Sequence, residues 1–147
     1  MSNPKITIKK GKTIHYASGA IIRKGNKFLM IKRGLPPPGY AFVAGHVEKN
    51  ETPSKALARE VKEEVNLKVV SKKFLLKKFI TQKQNCVLGT KHHYYYVYDC
   101  KVSGKIKPDI VEVKKIKFLS KGEIKKLYKQ DKLEYAWKIL LKELKIV

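Results

Sequence analysis

Residues 45–67 read GHVEKNETPSKALAREVKEEVNL, and this stretch decides the fold. It carries five of the chain's twelve acids, Glu48, Glu51, Glu60, Glu63 and Glu64, against four cations, in a protein whose formal net charge is +22. Thr52 is a good helix N-cap and Pro53 suits the first helical position. No breaker follows until Asn66, which tolerates the left-handed conformation of a helix end. The spacing predicts a helix from about Pro53 to Val65. On a helical wheel Leu57, Ala58, Val61 and Val65 form one stripe, and Glu60, Glu63 and Glu64 form another roughly 120° away. One stripe is suited to the core and the other to a pocket. The carboxylates are poorly placed for stability, because like charges three and four apart repel and acids near a helix C-terminus oppose the macrodipole. A divalent cation removes both penalties, and a solvated acidic face is the plainer alternative.

Outward from this helix the chain reads as strands. Ile14 to Arg23 alternates loosely, Gly25-Asn26 supplies a tight turn, and Lys27 to Arg33 continues as an apolar strand, which together predict a hairpin. Gly34 to Gly39 contains three consecutive prolines and reads as a stiff loop into a short strand, Tyr40 to Val43. Past the helix, Lys68 to Thr81, Lys91 to Val102 and Glu112 to Leu119 are β-rich. Ser120 with Glu123, and Asp131 with Glu134, each have capping-box spacing, so two short helices are expected to close the chain. Leu133, Trp137, Leu140, Leu141 and Leu144 give the second of these a buried face. The order predicts an α/β (α+β) fold, with a mixed sheet sandwiched between helices.

The 147 residues suit one domain, 1–147, without repeats or a low-complexity linker. No apolar run reaches the roughly 20 residues of a membrane span, and the N-terminus lacks signal-peptide features, so the expected location is cytoplasmic. Cys86 and Cys100 have no metal-type spacing and are read as reduced thiols. The charge comes from 31 Lys and 3 Arg against 12 acids. Two readings stand beside each other: a Lys-rich solvated surface, and a field that attracts RNA or another polyanion.

The stretch 45–67 resembles the Nudix box, G-x5-E-x7-R-E-U-x-E-E-x-G-U with U a bulky aliphatic. Gly45, Glu51, Arg59, Glu60, Val61, Glu63, Glu64 and Leu67 match, and only the last glycine is replaced, by Asn66. The resemblance implies a Nudix-type α/β/α sandwich. It implies a pyrophosphohydrolase acting on a nucleoside diphosphate linked to another group, such as a nucleoside triphosphate, an oxidised nucleotide or ADP-ribose. It further implies Mg²⁺, with Mn²⁺ as a substitute, held by Glu60, Glu63, Glu64 and the backbone carbonyl of Ala44. Arg59 is expected to orient the acids, with Glu51 pairing beside it and Gly45 opening the box. The general base is expected to be Glu60, Glu63 or, from a later loop, Glu112. Many relatives are dimers, so a homodimer is expected among the partners.

On the substrate side, His92, Tyr94, Tyr96 and Tyr98 alternate onto one strand face, with His93, Tyr95 and Val97 on the other. Tyr94 and Tyr96 are candidates for stacking a base, and Arg33, with Lys32 beside it, for holding phosphate. Two further readings remain in view: a Nudix-fold module that binds RNA or another polyanion, and a hydrolase of a polyanionic substrate such as 5′-phosphorylated RNA or an inositol pyrophosphate.

Overall fold

The structure, a computed structural model, describes residues 3–147. The elements are β1 (Ile6–Lys9), β2 (Lys12–Lys24), β3 (Lys27–Arg33), β4 (Tyr40–Ala41), β5 (Val43–His46), α1 (Pro53–Val65), β6 (Lys68–Thr81), β7 (His92–Ser103), β8 (Val113–Ser120), α2 (Lys121–Lys129) and α3 (Tyr135–Glu143). The main path of the sheet runs β4-β3-β2-β7-β6, with β1 and β5 also on β2 and β8 on β3. The β2–β7 pairing is parallel and the other strand pairs are antiparallel, so the sheet is mixed.

The period of two in the apolar strands sorts the core into two layers. Ala20 and Ile22 of β2 and Leu29 and Ile31 of β3 pack with Leu57, Val61 and Val65 of α1. Ile21 of β2 and Phe28 and Met30 of β3 pack on the opposite face, with Trp137, Leu140 and Leu141 of α3. The result is the expected sandwich, with α1 on one side of the sheet and α2 and α3 on the other. Gly19 makes room for this second layer, since a Cβ there would run into the Trp137 ring.

Helix α1 spans the predicted residues. The Thr52 hydroxyl accepts from the Lys55 N–H at 3.2 Å, and Asn66 ends the helix at φ 63° with its N–H on the Lys62 carbonyl. Its buried stripe includes Ala56 in place of the expected Ala58, which is half-buried. The Ser120–Glu123 capping box forms at the start of α2.

Three expectations are corrected. Tyr40 to Val43 is not one strand: β4 pairs with β3, Phe42 turns the chain, and β5 crosses to β2. Asp131 does not cap α3. Lys132 and Glu134 bond either side of Tyr40 through backbone groups at 2.9 and 2.8 Å, which keeps this segment extended. Helix α3 therefore starts later, capped by Glu134, whose carboxylate accepts from the Ala136 N–H at 2.7 Å. Strand β1 was not anticipated; its residues Ile6 and Ile8 are exposed and carry no buried stripe that a sequence pattern reveals.

Candidate functional site

The Ser18 hydroxyl on β2 donates to the Pro53 carbonyl at 2.7 Å, fixing the start of α1 against the sheet. At its other end, the chain between β7 and β8 lies along the last turn of the helix. Lys107 N–H donates to Val65 O at 2.9 Å and Asp109 N–H to Glu64 O at 2.8 Å, so carbonyls left free at a helix terminus find partners. The Asp109 carboxylate then accepts from the N–H groups of Val111 and Glu112, and Gly34 N–H holds Glu112 O at 2.8 Å. These bonds carry Glu112 to α1.

Glu60, Glu64 and Glu112 consequently converge, with one carboxylate oxygen of each within 4.8 Å of the others. Glu64 is 2% exposed, and its Oε2 is buried without a hydrogen-bond partner. Burial, reinforced by the Glu60 carboxyl, pushes the Glu64 pKa well above the usual carboxylate range. Burial also raises Glu60, against the pull of its neighbours Glu64 and Arg59. Glu112 is raised by burial and by Glu60. Two buried carboxyl groups and a half-buried third, with an oxygen left over, form a site that favours protonation until a cation arrives. Oxygen donors of this kind suit a hard divalent ion. Gly45 is needed here because a Cβ would collide with the Glu60 carboxylate.

Arg59 braces the acids with five hydrogen bonds. Nε and Nη2 grip both oxygens of Glu51 at 2.7 and 2.8 Å, and Nη1 reaches Glu60 at 2.8 Å and Glu63 at 3.0 Å. Nη2 also donates to the His46 carbonyl at 2.9 Å. The ion pair with Glu51 holds the Glu51 carboxyl below its ordinary pKa. Glu63 is not brought into the carboxylate cluster: its side chain is 53% exposed and rests on Arg59 at the rim.

The cleft at the cluster has a volume of about 110 Å³ and is bordered by Ala44, Gly45 and Arg33. Arg33 donates to the carbonyls of Pro37 at 2.7 Å and Pro36 at 3.4 Å, so the Pro-rich loop sets its direction. Tyr94 and Tyr96 do not reach this region, contrary to expectation. They stack on Tyr16, with ring centroids at 5.5 and 6.4 Å, beneath Lys77. The opposite face of β7 supplies His93 and Tyr95 to an adjoining cavity instead. A one-residue shift of phase on a strand reverses the face, and the aromatic content of β7 is too even to reveal which face is inward.

A second cluster was not anticipated. His15, His46, Cys86 and His93 each bring a donor atom within 4.8 Å of the others. They are scattered over 79 sequence positions, from 15 to 93. The sequence signal is slight: His15 and His93 lie in predicted strands, but so does His92, and His46 lies beyond the predicted end of its strand at Val43.

Comparison with known proteins agrees with this architecture. The NUDIX domain matches residues 13–138. The fold is similar to a MutT Nudix hydrolase from Burkholderia pseudomallei, at TM-score 0.67 and 20% identity over 75% of this chain and 85% of that one. It is similar to a Nudix hydrolase from Nitrosomonas europaea, at TM-score 0.65 and 20% identity over 81% and 79%. A MutT protein from Bacillus halodurans follows at 0.60 and 17% identity over 77% and 72%. No curated protein matches the sequence. The chain belongs to the Nudix family. Its class of activity is that of a pyrophosphohydrolase, acting on a phosphorylated small molecule with a nucleoside-diphosphate linkage.

Proposed function

We propose that the protein is a Mg²⁺-dependent hydrolase of a nucleoside diphosphate linked to another group, of the nucleoside triphosphate, oxidised nucleotide or ADP-ribose type. The observation that carries this reading is the convergence of Glu60, Glu64 and Glu112 around an unpartnered buried carboxylate oxygen. Glu60 and Glu64 would hold the metal, with Mn²⁺ as a substitute and the Ala44 carbonyl at the edge of the same cleft, while Glu63 stays on Arg59. A Mg²⁺ held by these residues would supply polarisation of the phosphoryl oxygens and ease the ionisation of a water.

The protein's own groups do the rest. Arg59 keeps Glu60 in one orientation through its fixed fork of donors. Glu112 serves as the general base: no hydrogen bond holds its carboxylate among the described residues, and its raised pKa suits it to accept a proton from the attacking water. Arg33, already anchored by two proline carbonyls, has N–H groups left for the substrate phosphates.

The test is product release from a panel of nucleoside triphosphates, ADP-ribose, dinucleoside polyphosphates and 5′-triphosphate RNA, with Mg²⁺ or EDTA. Cleavage that needs Mg²⁺ and is lost in Glu64→Gln is expected. Failure to cleave any compound would overturn the reading.

One observation favours a second reading. Tyr16, Tyr94 and Tyr96 form a stacked ladder, with Lys77 4.6 Å above the Tyr94 ring and Lys5 5.5 Å from that of Tyr16. Aromatic rings beside lysines are the means by which proteins bind single-stranded nucleic acid. A polyanionic substrate such as 5′-phosphorylated RNA would then lie over this ladder. Steeply salt-dependent RNA affinity that falls in Tyr94→Ala would support it.

A further inference from the structure

We propose that His15, His46, Cys86 and His93 form a closed Zn²⁺ site, separate from the carboxylate cluster. The four donors come from different parts of the fold. His15 on β2 and His93 on β7 are register partners across the parallel pair, so their side chains leave the same face side by side. On the other side of β2, His46 at the end of β5 pairs with Ala17, two residues along that face. Cys86 closes the group from the loop between β6 and β7.

The four donor atoms lie within 4.8 Å of one another, and two of the distances match a tetrahedral site. His46 Nε2 and His93 Nε2 are 3.2 Å apart, and Cys86 Sγ lies 3.8 Å from His15 Nδ1. Zinc bound to imidazole nitrogen and thiolate sulfur places its ligands about 3.3 to 3.8 Å from one another. The cavity beside them, about 50 Å³, has room for an ion or a water. Nitrogen and sulfur donors select Zn²⁺ over Mg²⁺, which requires oxygen, so the two clusters sort the two metals by chemistry.

The loop that presents Cys86 is held independently of any ion. Cys86 N–H donates to Thr90 O at 2.9 Å, Gln82 N–H to Lys91 O at 2.7 Å, and the Thr90 hydroxyl to Thr13 O at 2.6 Å. Such bonds fix the thiol over the sheet before a metal binds, as a preorganised site needs. Arg33, the nearby cation, is turned to the Pro36 and Pro37 carbonyls. With four protein ligands the ion has no open position, so its role is to pin β2, β5, β7 and the Cys86 loop together. Because the His46 carbonyl accepts from Arg59, the zinc also steadies the brace of the carboxylate cluster.

The test uses the full chain treated with chelator and then given Zn²⁺ or Co²⁺. Elemental analysis after gel filtration is expected to give one Zn²⁺ per chain, in wild type and in a Glu60→Gln/Glu64→Gln variant that has lost the oxygen site. Co²⁺ is expected to produce a thiolate-to-cobalt charge-transfer band and tetrahedral visible bands. Both are expected to vanish in Cys86→Ala and to persist in Cys100→Ala, whose thiol is buried in the other core layer. Should Cys86→Ala fail to fold, the cobalt spectrum of Cys100→Ala decides, because Cys86 is then the one thiol in the chain and only a thiolate produces that band. No uptake of either ion, or uptake without the thiolate band, would overturn the proposal.

Discussion

Arg59 and Glu51 make a two-point ion pair across the loop that leads into α1, with Nε and Nη2 on separate carboxylate oxygens at 2.7 and 2.8 Å. The pair leaves Nη1 for Glu60 and Glu63, so the orientation of the acidic stripe depends on a planar fork. A lysine has the charge but not this geometry. Arg59→Lys is expected to lower kcat by about 100-fold, the order of loss that follows a misplacement near 1 Å, with KM little changed. Steady-state kinetics checks it.

The carboxylate cluster is expected to destabilise the metal-free protein. Glu60, Glu64 and Glu112 have folded-state pKa values raised above the ordinary 4.5. Their contribution is therefore fully present at acid pH and lost as pH rises through those values. Glu64→Gln is expected to raise the metal-free Tm by roughly 2–4 °C at neutral pH, about 1 kcal/mol, and to leave it unchanged near pH 4, while abolishing hydrolysis. Thermal melts of both proteins in EDTA across pH measure this.

Mg²⁺ is expected to reverse that cost. A ligand at 100 times its Kd adds about 2.7 kcal/mol to the folded state. Because protons compete for the same oxygens, the gain is larger at about pH 8 than at about pH 5. Glu64→Gln is expected to lose most of it. A Mg²⁺-induced Tm shift that ignores pH would contradict the assignment of the ion to these groups.

Gly45 packs directly on the Glu60 carboxylate. In Gly45→Ala the methyl group has no space unless Glu60 moves, an overpacking cost of about 1–3 kcal/mol. Hydrolysis is expected to fall by about 100-fold while circular dichroism shows the fold retained. Rescue of activity in Gly45→Ala by a second-site change at Val65 would be surprising and would argue that the helix, not the carboxylate, is displaced.

Asn66 stands where the Nudix box has glycine, and its φ of 63° is left-handed. Its amide also donates to the Lys105 carbonyl at 3.2 Å. Asn66→Ala is expected to cost about 1–2 kcal/mol and Asn66→Gly less, since glycine meets no steric penalty there. Urea melts of the two variants rank the effects.

Much of this was legible in the sequence because it is local. The span of α1, the Thr52 cap, the turn at Asn66 and the two-layer alternation of β2 and β3 each follow from neighbours a few residues apart. The same holds for Arg59 and its acids. What escaped depends on contacts distant along the chain. The exclusion of Tyr94 and Tyr96 from the cleft follows from the register of β7 on β2. Asp131 lost its capping role to a backbone pairing between Tyr40 and the segment before α3. The histidine and cysteine cluster has no motif at all, since its members meet only after folding.

The parallel pairing of β2 with β7 joins residues as far apart as Ile14 and His92. Chain closure over such a distance is slow, because its entropy must be lost before the pairing gives anything back. Intermediates that have formed only the β2–β3 hairpin and α1 therefore contain Glu60 and Glu64 but none of the assembled imidazole cluster. Spectroscopic metal capture at that cluster would then time the last long-range step of folding, separately from the earlier appearance of helix.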